Sequence, residues 1–560
     1  MKYIKLLTGL FTFLLVVQCC SEDFLETAPL AMETEESYFS SMSAVEPSVI
    51  ACYSQLSRMR TSDFNFVIGM GSIASDDAEA GGDGSAGDTP DIQALDRMTY
   101  TARDLTTIER IWGFYYKGIY FCNVALEKLP AIRATQSNNP ANQTLIDVRL
   151  AEVRFLRSLY YFFLSQAYGG VCKVTRPLNP DELSQPRVTI NEIYDLIKGD
   201  LRAAIPVLPN KSELGTDVGR ATKGAAQALL AKVYLYESSY ATNYTGDERF
   251  GDMEVAWDSA LYFAEQVINS GEYKLTGIDG ETYNTYWGEQ TNGYRYAFTV
   301  DGDNCLESVF EIQNLNDDWI WVQSTGNALA AFTTARRYID NNGNLVQFGW
   351  GFNCPTQELV DEFDTLDIRL KTTIARPGDT ILASWQSGGV WLEDWFEIDF
   401  GISPTGYYCR KYEVSPEQYW STRLDWSKGP LNVRLIRFAD VYLFAAEAAY
   451  MMNDQAKALE YVNKVRERAR ICGGAGHTVP APLASLTFDD IIKERRLELG
   501  CEGHRFWDLV RWKIAEENLD GVQIAFDITI NFESPKNDFF PLPASEVDYM
   551  NGELVQYEGW

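Results

Sequence analysis

The sequence predicts an all-α protein of paired helices that carries one loop-rich, partly β insertion. Three observations predict it. Long segments at both ends of the chain repeat apolar or alanine residues every three to four positions, the period of a helix with one buried face. Turn and cap residues stop those segments where the period ends. Between them, residues 275–435 lose the period and fill with Gly, Asn, Asp and Trp, leaving only short β-like runs such as "SVFEIQ" and "YYCRKYE".

The helices can be taken in order. "AEVRFLRSLYYFFLSQAYGG" sets Ala151, Phe155, Leu159, Phe162 and Gln166 on one stripe, leaves Arg154 and Arg157 off it, and stops at Gly169-Gly170. "TKGAAQALLAKVYLYESSY" opens at an N-cap, Thr222, and carries Ala225, Ala228 and Ala231, small residues that let a second helix approach. "AWDSALYFAEQVINSG" repeats the device with Ala256, Ala260 and Ala264 and ends at Gly271. "FADVYLFAAEAAYMMND" and "QAKALEYVNKVRERAR" read as helix, short turn, helix. "TFDDIIKERRLELG" opens on Thr487 and Asp490, a capping-box variant. Alanine-rich hairpins of this kind resemble tetratricopeptide units, with irregular spacing.

The N-terminus reads as a targeting segment. Lys2 and Lys5 precede an apolar run from Leu6 to Val17, too short to span a bilayer, and two cysteines follow. A cysteine at that junction resembles a bacterial lipoprotein signal, cut before a lipidated Cys. Cys20 is the expected acceptor, because the small Cys19 precedes it while the large Gln18 precedes Cys19. Buried acyl methylenes, at about 0.8 kcal/mol each, would then hold the chain to a membrane. Ser21-Glu22-Asp23 resembles the surface-export signal of Bacteroidetes lipoproteins. The expected division is 1–19 signal, 20–274 N-terminal helical region, 275–435 variable region and 436–560 C-terminal helical region.

Composition excludes several functions. Beyond the signal, 46 basic residues face 79 acidic ones, a net charge near −33 that repels nucleic acid and anionic headgroups. Only two histidines, His477 and His504, occur in 560 residues, which argues against a histidine zinc site or a Ser-His-Asp triad. Eight cysteines besides the signal pair are scattered without CxxC spacing, and buried free thiols are expected. No GxxxxGK[ST], GxSxG or HExxH occurs. Gly69-x-Gly71-x-x-Ala74 imitates a dinucleotide fingerprint, but Gly and Asp follow it, so a loop is expected. The acidic run "ASDDAEAGGDGSAGDTPD" reads as a solvated loop. A structural calcium ion is the alternative there, although the EF-hand spacing is missing. No cofactor is expected.

Several segments together are similar to the SusD/RagB family of Bacteroidetes surface lipoproteins. They are "AEVRFLRSLYYFFLSQAYGGVCKVT", "INEIYDLIKGDLRAAIPVLP", "GRATKGAAQALLAKVYLY", "IRFADVYLFAAEAAY", "IIKERRLELGCEGHRFWDLVRWK" and "FFPLPASEVDYMNGELVQYEGW". The run "ERRLELGCEGHRFWDLVRW" is the most specific, and the likeness covers nearly the whole chain in order. The terminal "VQYEGW" and Gly500-Cys501 depart from the family pattern. The resemblance implies tetratricopeptide-like helical pairs with a variable part that holds the ligand. It implies capture of glycan at the cell surface and delivery to a SusC-type TonB-dependent outer-membrane transporter, without catalysis. It also implies outer-membrane localisation through the lipid anchor.

A sugar offers an apolar face of C–H groups and a rim of hydroxyls. Aromatic rings in polar loops match the first, and carboxylates and amides read the second. "NLNDDWIWVQSTGN" supplies Trp319 and Trp321 with Asp317, Asp318 and Gln323; "NNGNLVQFGWGFN" supplies Trp350 and Asn353; Trp385, Trp391 and Trp395 follow. In the family, ligand aromatics come from the segment after a strand like "ESVFEIQ" and from the early polar loop. That favours Trp319, Trp321 and Trp350, with Asp76, Asp77 and Asp83 as hydroxyl acceptors. His504 and Trp507 are assigned to helix packing. Two other classes compete: a surface glycoside hydrolase on a helical scaffold, which needs two carboxyl groups flanking a cleft, and a helical-repeat scaffold for peptides or proteins, which needs a groove lined by Asn, Lys and Arg.

Overall fold

The computed structural model describes residues 34–57, 62–83, 87–103, 106–285, 288–315, 326, 328–340, 342–347, 349–387, 390–413 and 429–560. The body is a row of helices in chain order: α1 (Val45–Ser54), α2 (Thr106–Thr135), α3 (Pro140–Tyr168), α4 (Ile190–Ala204), α5 (Lys223–Asn243) and α6 (Trp257–Ile268). After the insertion come α7 (Phe438–Met451), α8 (Gln455–Cys472), α9 (Phe488–Leu499) and α10 (Arg505–Arg511). Neighbours in sequence pack on one another, α2 on α3, α3 on α4, α5 on α6 and α7 on α8. α7 also lies against α6, so the two helical regions join without a break in the row.

Local chemistry sets these helices. Thr222 accepts the Ala225 N–H at 3.0 Å and caps α5. Thr487 and Asp490 close the capping box of α9, and Thr189 and Glu192 close another on α4. Gly169, at φ +68°, ends α3. The alanines of α5 and α6 are fully buried where the pair touches. Gly118 of α2 is needed for the same reason: a Cβ there would lie 2.6 Å from the Tyr160 ring of α3. Arg157, off the apolar stripe, is buried nonetheless. It forks onto Asp200 of α4 at 2.7 and 2.9 Å and donates to Asn123 of α2 at 2.9 Å.

The strands that shape the insertion and tie it to the body include β1 (Ala78–Gly81), β2 (Ser308–Ile312), β3 (Arg337–Ile339), β4 (Leu345–Gln347), β5 (Phe352–Pro355), β6 (Thr380–Ser387), β7 (Val390–Asp399) and β8 (Val433–Arg437). β3, β4, β6 and β7 form an antiparallel sheet in the order β4-β3-β7-β6. β2 pairs with β8, Val433 opposite Ile312, and closes the base of the insertion. β1 pairs with β5, Ala78 opposite Pro355, and ties the early polar stretch to the insertion.

One expectation changes here. The run around Gly69-x-Gly71 is not a loop. Ser62–Ile73 is a wide, π-type helical segment, with Phe64, Phe66, Ile68 and Met70 buried. Its glycines serve packing: a Cβ on Gly71 would lie 2.2 Å from the Gly503 carbonyl oxygen. The free-thiol expectation holds. All eight described cysteines are free, and six are buried.

The specific signature run is a buried charge lattice. Arg437, at the end of β8, meets Glu307 at 2.8 Å, Glu498 at 3.0 Å and Glu502 at 2.7 Å. Arg468 of α8 bridges Glu307 and Glu498. Arg369 reaches Glu494 at 2.6 Å, and Lys411 reaches Glu502 at 2.6 Å, both from the insertion. Burial disfavours the ionised Glu498, but Arg468, Arg437, Arg369 and Lys411 outweigh it and hold the carboxyl at about 2. Trp507 stacks on Phe66 at 5.4 Å and His504 is buried, the packing roles expected of them.

Candidate functional site

Three segments that lie outside the described residues, 58–61, 316–325 and 414–428, have ends held within hydrogen-bond reach of one another. Ser57 donates to the Gln313 carbonyl at 3.3 Å. The Asn314 N–H donates to Asn432 Oδ1 at 2.7 Å, and its side-chain amide to the Leu431 carbonyl at 3.2 Å. Glu311 fixes the junction, accepting from the Asn304 N–H and from the Asn432 amide, each at 2.6 Å. Gly219, at φ +92°, makes room for Gln313, whose side chain a Cβ there would meet at 2.4 Å.

At the foot of these ends lies a cavity of about 280 Å³, between α1, the Thr216–Arg220 turn and β2. Ile50 and Val218 are half-exposed on its lip. The Tyr53 hydroxyl on its wall donates to Glu152 at 2.8 Å and accepts from the Ala221 N–H. Arg220 is held by Glu152 at 3.0 Å and Glu46 at 2.7 Å. The wall is therefore rigid before any ligand arrives. Three carboxyl groups stand near, and each is engaged: Asp217, on the lining, pairs with Arg149 at 3.5 Å and Arg220 at 3.6 Å. Asp303, pushed up to about 7 by burial, holds Arg434 at 2.7 Å; Glu311 is committed as above. Among the described residues no group of acids, cysteines and histidines could hold a metal ion.

The outgoing end of 316–325 leads to a short helix, Leu329–Thr333, under Trp350. The Trp350 N–H donates to the Ala331 carbonyl at 2.9 Å, and its ring meets Phe332 edge-on at 4.4 Å. Phe332 in turn stacks on Phe64 at 4.1 Å. The Gly82 N–H donates to the Gly351 carbonyl at 2.8 Å, which brings Asp83 beside Trp350. Asp88 accepts the Asp83 N–H at 3.2 Å and pairs with Arg336. Trp350, half-buried, and Asp83 are thus gathered with Asp88 and Arg336.

Three expected ligand residues are structural instead. Asp76 is buried and forks onto Arg505, both contacts at 2.7 Å. Burial opposes its charge, yet Arg505 and Arg496 keep its carboxyl below the usual range. Asp77 is buried against Arg496 at 2.8 Å. Asn353 is fully buried at φ +60° and accepts from Ser72 at 2.7 Å. None of the three can face a ligand, because each already satisfies a buried partner. Trp319, Trp321, Asp317 and Gln323 lie outside the described residues, as does Cys20. Trp420 and Trp426, within 414–428, were not singled out from sequence; only the meeting of Leu431 with Asn314 draws attention to them.

A helical-pair body thus brings the described ends Ser57, Asn314 and Leu431 together beside one walled cavity. The comparisons give it a family. A family profile described as "SusD family" matches residues 306–560, and one described as "Starch-binding associating with outer membrane" matches residues 82–235. The chain belongs to the SusD family. A SusD-like protein of Bacteroides ovatus is 25% identical, over 90% of this chain and 81% of that one. A solved laminarin-binding SusD-like protein superposes with a TM-score of 0.69 at 28% identity, covering 93% of this chain and all of that one. Surface glycan-binding protein A of Bacteroides thetaiotaomicron, solved with laminarihexaose, shares the fold at a TM-score of 0.70, with 23% identity over 92% and 99% of the two chains. The two solved relatives are named for glycan binding. Among the described residues no helix is long and apolar enough to cross a membrane.

Proposed function

We propose that this chain captures glycan at the cell surface and passes it to a SusC-type TonB-dependent outer-membrane transporter. A lipid on Cys20 is the tether. The observation that carries the reading is the convergence of Ser57, Asn314 and Leu431. It joins the ends of the segments that bear Trp319, Trp321, Trp420 and Trp426 beside a preformed cavity. Trp350 and Asp83 extend the site at the far end of 316–325. The named ligand of the 28% identical relative, laminarin, makes a β-glucan the first ligand to try.

The test is a titration of the Cys20→Ser chain with a panel of oligosaccharides, laminarihexaose among them, followed by tryptophan fluorescence and calorimetry. A saturable quench with one sugar class, lost in the Trp319→Ala/Trp321→Ala double variant, supports the reading. Silence across the panel overturns glycan capture, and release of shorter sugars by the pure protein overturns a purely binding role. Fatty-acid labelling that is equal in the parent and in Cys20→Ser would overturn the tether.

A further inference from the structure

A second concavity lies along α2. Tyr115 of that helix faces inward, 5.7 Å from Phe66 and 5.4 Å from Phe163. Trp112 and Tyr116, 4.7 Å apart, instead floor a groove of about 600 Å³ between α2, the Cys172–Gln185 loop and the C-terminal turn around Tyr549. The floor is fixed. The Tyr116 hydroxyl donates to the Cys172 carbonyl at 2.8 Å, and Trp112 packs edge-on to Tyr168 at 5.3 Å. The rim is not covered. Tyr120 is 52% exposed, Leu183 41% and Tyr549 61%. Exposed apolar groups gathered in one concavity mark an interaction surface more often than chance.

The chemistry of the groove selects the occupant. Between the rings its lining is aliphatic, with Val174, Leu178 and Met550. Asn123 on its floor is already satisfied: its amide donates to the Val174 carbonyl at 3.0 Å and its oxygen accepts from Arg157. A sugar laid over that part of the floor would bury hydroxyls without partners, which is costly. An apolar side chain loses nothing. Charge adds a second requirement. Arg176 is engaged by Glu182 at 2.6 Å, and Arg103 by Asp548 at 3.1 Å. Glu546, which lines the groove, and Glu109, one helical turn before Trp112, have no cation partner among the described residues. Burial, with Glu109 adding to it, raises the carboxyl pKa of Glu546.

We propose that this groove docks a polypeptide segment of a partner protein, one that inserts an apolar side chain over Trp112 and Tyr116 and sets a lysine or arginine against Glu109 and Glu546. Tyrosine and tryptophan at a concave floor, with charge at the rim, are how such contacts combine affinity with orientation. The inference is independent of the glycan reading, since this groove and the cavity beside Ser57 share no lining residue.

A phage-displayed random peptide library panned against the full Cys20→Ser chain tests it. Enriched sequences should place Lys or Arg within a few residues of Leu, Ile, Phe or Trp. A synthetic peptide of the winning sequence should bind at least ten-fold more weakly to the Tyr120→Ala/Tyr549→Ala variant, with the thermal midpoint unchanged because both side chains are exposed. Glu546→Lys should turn the selection toward acidic flanks. Enrichment that ignores both variants, or none at all, overturns the proposal. So does an oligosaccharide signal that disappears in Tyr120→Ala/Tyr549→Ala, which would assign the groove to sugar.

Discussion

At the scale of single residues, the expected ligand residues divide into two kinds. Asp76 and Asp77 are buried against Arg505 and Arg496, while Asp83 and Trp350 are only half-buried. Asp76→Asn should leave sugar affinity nearly unchanged and cost about 3–5 kcal/mol of stability, the usual penalty for stranding a buried charge; urea unfolding beside a sugar titration separates the two effects. Trp350→Ala should do the reverse, weakening sugar binding by about 1–3 kcal/mol if stacking on sugar resembles stacking on bases, as read by calorimetry. Asp96 supplies a pH signature. Burial, with the Glu79 carboxylate adding to it, pushes its carboxyl up to about 8 against a single bond from the Ala80 N–H. Its native pKa is raised, so between about pH 4 and 8 the native state binds the proton that the unfolded chain has lost, and stability falls as pH rises through that window. Asp96→Asn keeps the acceptor without the charge. Its advantage over the parent should be negligible near pH 4 and reach about 1–3 kcal/mol at pH 8, measured as urea midpoints across the range.

At the scale of elements, β1 decides whether the early stretch and the insertion form one surface. Gly81 ends that strand at φ +71°, and a Cβ there would lie 2.2 Å from the Gly351 carbonyl oxygen and 2.6 Å from the Cys354 sulfur. Gly81→Ala should open the β1–β5 ladder, cost about 1–3 kcal/mol and expose the amides of Phe352, Asn353 and Cys354 to faster hydrogen exchange. The helices behave differently. Their starts and stops come from neighbours in sequence, as at Thr222, Thr189 and Thr487, and are readable without the fold. The wide helix at Ser62–Ile73 is the exception. "FVIGMGSI" reads as a loop because two glycines and an acidic run follow an apolar stretch, yet Gly71 is there so that the helix can touch Gly503, more than 400 residues away.

At the scale of the whole molecule, the buried lattice around Glu498 fastens the insertion to the helical row. Glu307, Arg369 and Lys411 come from the insertion, Arg468 and Glu498 from the C-terminal helices, and Arg437 from the junction. Such pairs are costly to bury but far costlier to break singly. Glu498→Gln should destabilise the chain by about 3–5 kcal/mol at pH 7. The carboxyl sits at about 2 in the fold, below its unfolded value, so the stability it contributes is present above about pH 4.3 and is lost as pH falls toward 2. The gap between parent and variant should therefore shrink through that window, seen as converging urea midpoints. A gap that stays constant down to pH 2 would mean that Glu498 acts through packing alone.

The sequence by itself determined the helical row, its caps and its alanine contacts. Each of these depends on residues close together in the chain, where period and turn chemistry are local. It also marked the signature run as the most specific part, with His504 and Trp507 as packing residues. What only the tertiary structure decided is which polar residues are available. Asp76, Asp77 and Asn353 look like loop acceptors until Arg496, Arg505 and Ser72 come to meet them, and Arg157 looks exposed until Asp200 does. Trp350 and Asp83 become neighbours only through the β1–β5 ladder. The reason is that a charge or amide is free or engaged according to partners drawn from anywhere in the chain, and burial, not composition, settles which.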